Sequence, residues 1–286
     1  MTVRIVTDST CDLPTEMIAR YGIHVVPLYI HVGNQGYLDG IDISREEFYT
    51  RLPYFSTHPT TAVPSTERFI AAYNTLVDEG ASEILSIHIS TALSGVLNVA
   101  LVAAQETTST RVTVFDSHQL SLGTGFLVET AAKMAAAGCS IDDIMGALND
   151  QVRRTRVFAA LDTLEFLKRS GRMNQYLAGL ATLLQIKPIM TMHNGEPGSE
   201  RVRTRERAMK RVVEMLAEAG SLERVAMIHT HASPEILAKL HSMAAHLLPQ
   251  EPILSVDITP VIGAHIGPDA VGFAVVQSAG QSVVLH

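Results

Sequence analysis

The chain has 286 residues, a formal net charge of −7 at pH 7, 47% hydrophobic residues and a mean hydropathy of +0.18. Its length suits two lobes rather than one, and its negative charge argues against a nucleic-acid surface. No apolar run is long enough for a membrane span, and MTVRIVTDST carries no signal-peptide pattern. A soluble chain this apolar has a large core or lines an apolar cavity, the core being the commoner reason.

Cys11 and Cys139 lack metal spacing and fit a reducing cytoplasm. Among twelve histidines, His229-Thr230-His231 is the tightest pair. No Cys or carboxylate lies beside it at a usual ligand spacing, so surface or core histidines are expected rather than a metal site.

In chain order, Val3 to Thr7 reads as a strand running into the polar loop Asp8-Ser9-Thr10-Cys11-Asp12-Leu13-Pro14. Pro14 opens a helix that ends at Gly22. Either Asp8, Ser9 and Thr10 face a ligand at the carboxyl end of the strand, or Asp8 or Asp12 caps the next helix. His24 to Ile30 reads as one strand, with Pro27 marking an irregular or edge position. Ser44 to Leu52 is a helix with a capping box formed by Ser44 and Glu47. Pro53 to Ser65 is a loop rich in Pro and Thr, and Ser65 caps a helix to about Glu79.

Ile84 to Ile89 is an apolar run that reads as a buried strand. The turn Ser90-Thr91-Ala92-Leu93-Ser94-Gly95 follows, and Leu97, Leu101 and Val102 then recur at helical spacing. The first N–H groups of that helix lack internal partners and its dipole favours an anion, so the turn is a candidate carboxylate or phosphate site. Arg111 to Phe115 is another strand, ending in Asp116-Ser117-His118-Gln119. Asp8-Ser9, Ser90 to Ser94 and Asp116-Ser117 then share one rim of a parallel sheet, where ligands bind in open α/β folds. Helices from Leu120 to Ala137 and Ile141 to Arg153 complete this half.

Beyond it, Arg156 to Leu161 is a strand, Thr163 to Ser170 a helix and Ser170 to Asn174 a glycine-bearing turn. Ile186 to Met192 is a strand interrupted by Pro188, and Asn194-Gly195 is a turn. Arg201, Arg203, Arg205, Arg207, Lys210 and Arg211 lead onto a helix to about Ala219. They form either a solvated helix face or a patch for an acidic partner or phosphate. Val225 to His229, Ile253 to Asp257 and Val271 to Val276 are strands, with a helix from Pro234 to Leu247. Gly263-Ala264-His265-Ile266-Gly267-Pro268 reads as a rigid turn through which backbone approaches a ligand.

Taken together, IVTDSTCDLP (5–14), TTAVPS (60–65), STALSG (90–95), VFDS (114–117), FLKRSGRM (166–173), VRT (202–204) and GAHIGPDAVG (263–272) resemble the DegV family of bacterial fatty-acid-binding proteins over nearly the whole chain. The resemblance implies two α/β lobes, 1–155 with a mostly parallel Rossmann-like sheet and 156–286 with a mixed sheet. A long-chain fatty acid would lie between them in a closed apolar tunnel. It implies carboxylate contacts from Thr61, Ser94, Gly95 and His265, and no cofactor beyond that ligand. It further implies a separate fatty acid kinase as partner, docking at Arg172 and making an acyl phosphate for phospholipid synthesis. A cytoplasmic carrier without catalysis of its own follows, with room for transient membrane contact. The chain departs from the family pattern at Ala62, Val96 and Ile266, where hydroxyls are frequent.

Two other functions compete. A serine hydrolase would use Ser94, His265 and an acid such as Asp116, but GxSxG is absent around Ser94. A phosphotransferase would need a GxxxxGK[ST] loop or a carboxylate cluster for Mg²⁺, and neither stands out.

Overall fold

A computed structural model describes residues 2–172 and 186–280. The strands in chain order are β1 (Val3–Asp8), β2 (His24–Val26), β3 (Tyr29–Val32), β4 (Gln35–Leu38), β5 (Thr60–Ala62), β6 (Glu83–His88) and β7 (Arg111–Asp116). They continue with β8 (Thr155–Ala160), β9 (Lys187–His193), β10 (Glu196–Val202), β11 (Leu222–His229), β12 (Leu254–Asp257) and β13 (Val271–Gln277). They form three sheets: a parallel one ordered β2-β1-β6-β7, a mixed one ordered β10-β9-β8-β13-β11-β12, and a small antiparallel one ordered β4-β3-β5. The two-lobed α/β architecture expected from the sequence is present. The third sheet is an addition to it.

The inner strands of the parallel sheet are buried on both faces, as near-continuous apolar runs require. Ile5, Leu85 and Ile87 pack on one side with Leu122, Phe126 and Leu127, and Val6 and Ile84 on the other with Phe69, Tyr73 and Ala100. Helix Ile141–Arg154 buries Ile141, Ile144, Leu148 and Val152, spaced three or four residues apart, while its Ser140 cap accepts from the Asp143 N–H. The core around helix Leu122–Ala136 continues into the mixed sheet through Val157, Met192, Ile228 and Ala274. One apolar core therefore spans both lobes.

Four departures from the sequence reading have clear causes. His24 to Ile30 is two strands, because Pro27 offers no N–H to the ladder and the chain crosses there from the parallel sheet to β3. The Pro/Thr-rich loop contains β5, which pairs with β3 so that Thr61 faces Ile30 in register. Glu196 to Val202 is the edge strand β10, too polar to read as a strand. It is joined to β9 by Asn194 and Gly195, with φ of 48° and 82°, the two positive values a type I′ turn requires. The segment around His265 is a helix, Pro260–Ile266, not a turn. Thr259 caps it, Pro260 opens it and Gly267 at φ 78° ends it.

Of the turn predicted at Ser170 to Asn174, Met173 and Asn174 lie outside the described residues. The basic cluster is partly neutralised: Arg211 pairs with Glu200 and Glu218, and Arg205 with Asp162. Arg201, Arg203, Arg207 and Lys210 are exposed, so it is largely a solvated face.

Candidate ligand site

The turn after β6 leads into helix Val96–Glu106, whose N-cap is Gly95. Leu93 and Ser94 N–H both donate to the Ser90 carbonyl, at 3.0 and 3.1 Å, which tightens the turn. The Ser94 hydroxyl accepts from Val96 N–H at 3.4 Å, a distance at which the cap is weak and the hydroxyl stays available to a ligand. No atom would crowd a Cβ at Gly95, so what this residue offers is backbone at a helix start.

Two further elements close on this turn. β5 brings Thr61, and the helix Pro260–Ile266 brings His265, whose Nε2 lies 2.9 Å from the Thr61 hydroxyl oxygen. Among the described residues His265 Nδ1 is buried without a protein partner. Burial, then the positive charge of Arg172 and the neighbouring His58, push the His265 pKa down to about 4. The imidazole is therefore neutral at pH 7. His58, which the sequence did not single out, hydrogen-bonds the Ala264 backbone and faces the Phe166 ring at 5.5 Å.

Thr61, Ser94, Gly95, Arg172 and His265 all line one cavity of about 340 Å³. Its apolar wall includes Leu28, Ile89, Leu93, Leu120, Leu167, Val261, Ile262 and Ile266. A smaller apolar chamber of about 40 Å³ shares Leu120, Ile262 and Ile266 with it and reaches Val157, Ala159 and Met192 on the mixed sheet. Larger clefts of about 590 and 610 Å³ open beside Arg45 and Arg224, but neither brings the candidate carboxylate donors together. An apolar cavity with a few convergent donors is the form that ligand sites take.

The predicted rim is only partly a ligand wall. Asp8 is fully buried and accepts from Thr10 N–H (3.0 Å), the Thr10 hydroxyl (2.5 Å) and Ile89 N–H (3.2 Å). It also lies 2.9 Å from His88 Nδ1. Burial opposes its ionisation, but the His88 contact and these donors hold its carboxyl below the usual range. Asp8 is thus a cap and core anchor. Thr10 lines the cavity, yet its hydroxyl is already donated to Asp8. Asp12 is likewise buried and bridges lobes, accepting from Thr259 N–H at 2.8 Å and the Ser121 hydroxyl at 2.6 Å.

Asp116 accepts from the Thr91 hydroxyl at 2.7 Å and His118 N–H at 2.7 Å. It is not turned to His265, so the acid-to-base bond of a Ser-His-Asp triad is not formed between them. His229 and His231 both face Asp257, at 3.7 and 3.0 Å. Among the described residues no group of three or more His, Cys, Asp or Glu side chains could hold a metal ion. Both cysteines are free.

An open parallel sheet joined to a mixed sheet, with this cavity lined from both halves of the chain, defines a two-lobed α/β protein. Residues 2–278 match the DegV family model, described as "Uncharacterised protein, DegV family", and the chain belongs to that family. A DegV domain-containing protein of Deinococcus radiodurans is 36% identical over 278 residues, covering 96% of this chain and 98% of the relative. A solved DegV-family structure from Thermus thermophilus, titled for its fatty acid binding, aligns with a TM-score of 0.86 at 33% identity over 97% of this chain and 100% of the other. DegV from Bacillus subtilis, titled a fatty acid binding protein, aligns with a TM-score of 0.88 at 30% identity over 97% and 100%.

Proposed function

We propose that this chain binds a long-chain fatty acid in the cavity between its lobes and offers the carboxylate to a separate fatty acid kinase. The observation that carries this is the convergence of Thr61, Ser94, Gly95 and His265, from distant parts of the chain, on one cavity whose wall also carries apolar side chains. The related Thermus and Bacillus proteins, described as fatty acid binding, support the ligand class.

The chemistry follows from what a fatty acid needs. Each buried methylene contributes about 0.8 kcal/mol, and the wall from Leu120 to Ile266 supplies the apolar lining. A carboxylate buried without partners would cost several kcal/mol or be forced to protonate. The Ser94 hydroxyl, the Gly95 N–H and the Thr61–His265 pair, which uses one of its two protons in the bond between them, donate without bringing a full charge inside. The small chamber behind Ile262 extends the path of the tail.

In this account residues 1–155 supply Thr61, Ser94 and Gly95, while 156–286 supply His265 and the kinase-docking Arg172. The protein is a cytoplasmic carrier that performs no covalent step and meets membranes transiently. No described helix is long and apolar enough to cross one. The test is titration with palmitate and oleate, followed by assay of ATP-dependent acyl-phosphate formation with a fatty acid kinase. Saturable binding and turnover that requires both proteins are expected; ATP-dependent turnover by this chain alone would contradict the division of labour.

A further inference from the structure

The helix carrying His265 begins after Asp257-Ile258-Thr259, and four side chains from the first 50 residues close on that segment. Arg45 donates to the Asp257 carbonyl, and the Tyr49 hydroxyl donates to the Ile258 carbonyl at 2.9 Å. Thr259 N–H donates to Asp12 Oδ1 at 2.8 Å, and the Thr259 hydroxyl donates to Asp39 Oδ2 at 2.5 Å. The same hydroxyl oxygen accepts from Val261 N–H at 3.2 Å, which makes it the helix cap. Asp12 and Asp39 are buried, Arg45 lies 3.0 Å from Asp12, and the Ser121 hydroxyl completes the Asp12 shell. Gly263 lets the helix rest on Tyr49, since a Cβ there would collide with the Tyr49 hydroxyl.

A helix of seven residues has too few internal bonds to hold its own position; what grips its ends determines where it points. We propose that Asp12 and Asp39 are positioning residues for His265: by holding Thr259 they set where the imidazole meets Thr61. Neither carboxylate lines the cavity, so each acts through the helix rather than on a ligand. The two grips differ. Asp12 takes a backbone N–H, which every substitution of Thr259 except proline keeps, whereas Asp39 depends on the hydroxyl. The functional consequence rests on the fatty-acid reading above; the geometric one does not.

The test is a double-mutant cycle on Thr259 and His265, read by palmitate titration, with the His265 ring resonances followed by NMR in ligand-free protein. Thr259→Val is expected to weaken palmitate binding about tenfold and to shift the His265 resonances, while Thr259→Ser restores both. Thr259→Val added to His265→Ala is expected to cost no further affinity. Asp39→Asn, which keeps an acceptor for the hydroxyl, should lie nearer wild type than Asp39→Ala on both readouts. Should Thr259→Val fail to fold, the Asp39 pair carries the same cycle. Additive losses in the double variant, or His265 resonances unmoved by losing the Thr259 hydroxyl, would overturn the proposal. Wild-type protein that binds no palmitate would instead overturn the fatty-acid reading, and the ring resonances would still decide the positioning.

Discussion

Thr61 Oγ1 and His265 Nε2 lie 2.9 Å apart although 204 positions separate them in the chain. One comes from an edge strand of the small sheet and the other from a two-turn helix after β12. Both line the same cavity, which they meet with uncharged groups at pH 7.

His265 makes stability pH-dependent. Its pKa is about 4 when folded, against an ordinary 6.5, so its contribution is present above pH 6.5 and is lost as pH falls through about 4. Across that window the effect is on the order of 3 kcal/mol. Denaturant titrations from pH 4 to 7 on wild type and His265→Gln check this. The variant should lose less stability on acidification than wild type does.

Asp12 works in the opposite direction. Burial, outweighing the attraction of Arg45 and its hydrogen bonds, raises its carboxyl from 3.8 to about 6. The protonated form is favoured on folding, so this contribution is present below pH 3.8 and lost as pH rises through about 6. Asp12→Asn should therefore steepen the rise of stability with pH between 4 and 6, because only the His265 slope then remains of the pair. The same denaturant series measures it.

Binding a carboxylate beside His265 should raise the imidazole pKa, since a nearby negative charge favours the protonated ring. Proton uptake on palmitate binding is then expected at pH 5 to 6. Calorimetry in buffers of different ionisation enthalpy reads it directly. Release of protons at that pH would contradict the proposed contact.

Ser94→Ala and His265→Ala should each weaken oleate or palmitate binding by roughly 10- to 100-fold, the scale of a lost hydrogen bond to a charged group. Turnover by the kinase should fall with them. A fluorophosphonate probe should leave Ser94 unlabelled, because among the described residues no acid bonds His265 Nδ1; rapid labelling would revive a hydrolase.

Much of the fold was legible because local signals agree with it. Pro14 and Gly22 bracket the first helix, Ser44 caps as read, and the apolar runs of β1 and β6 lie in the parallel sheet. β5 and β10 were missed because strands of three and seven mostly polar residues carry no hydrophobic period. The helix before Gly267 was misread because its glycine and length resemble a turn, although Thr259-Pro260 is a helix-start signal. Ser94 and Gly95 were visible as a strand-to-helix turn. Thr61 and His265 were singled out through family resemblance, since no local pattern joins residues so far apart. The Asp12–Thr259 contact, across 247 positions, had no sequence signal at all.

The most direct measurement is a mass spectrum of the organic extract from protein purified from a bacterial host. A long-chain fatty acid released on denaturation, in amounts approaching one per chain, is the predicted result. No lipid in repeated extracts, together with no binding of added palmitate or oleate, would contradict the account.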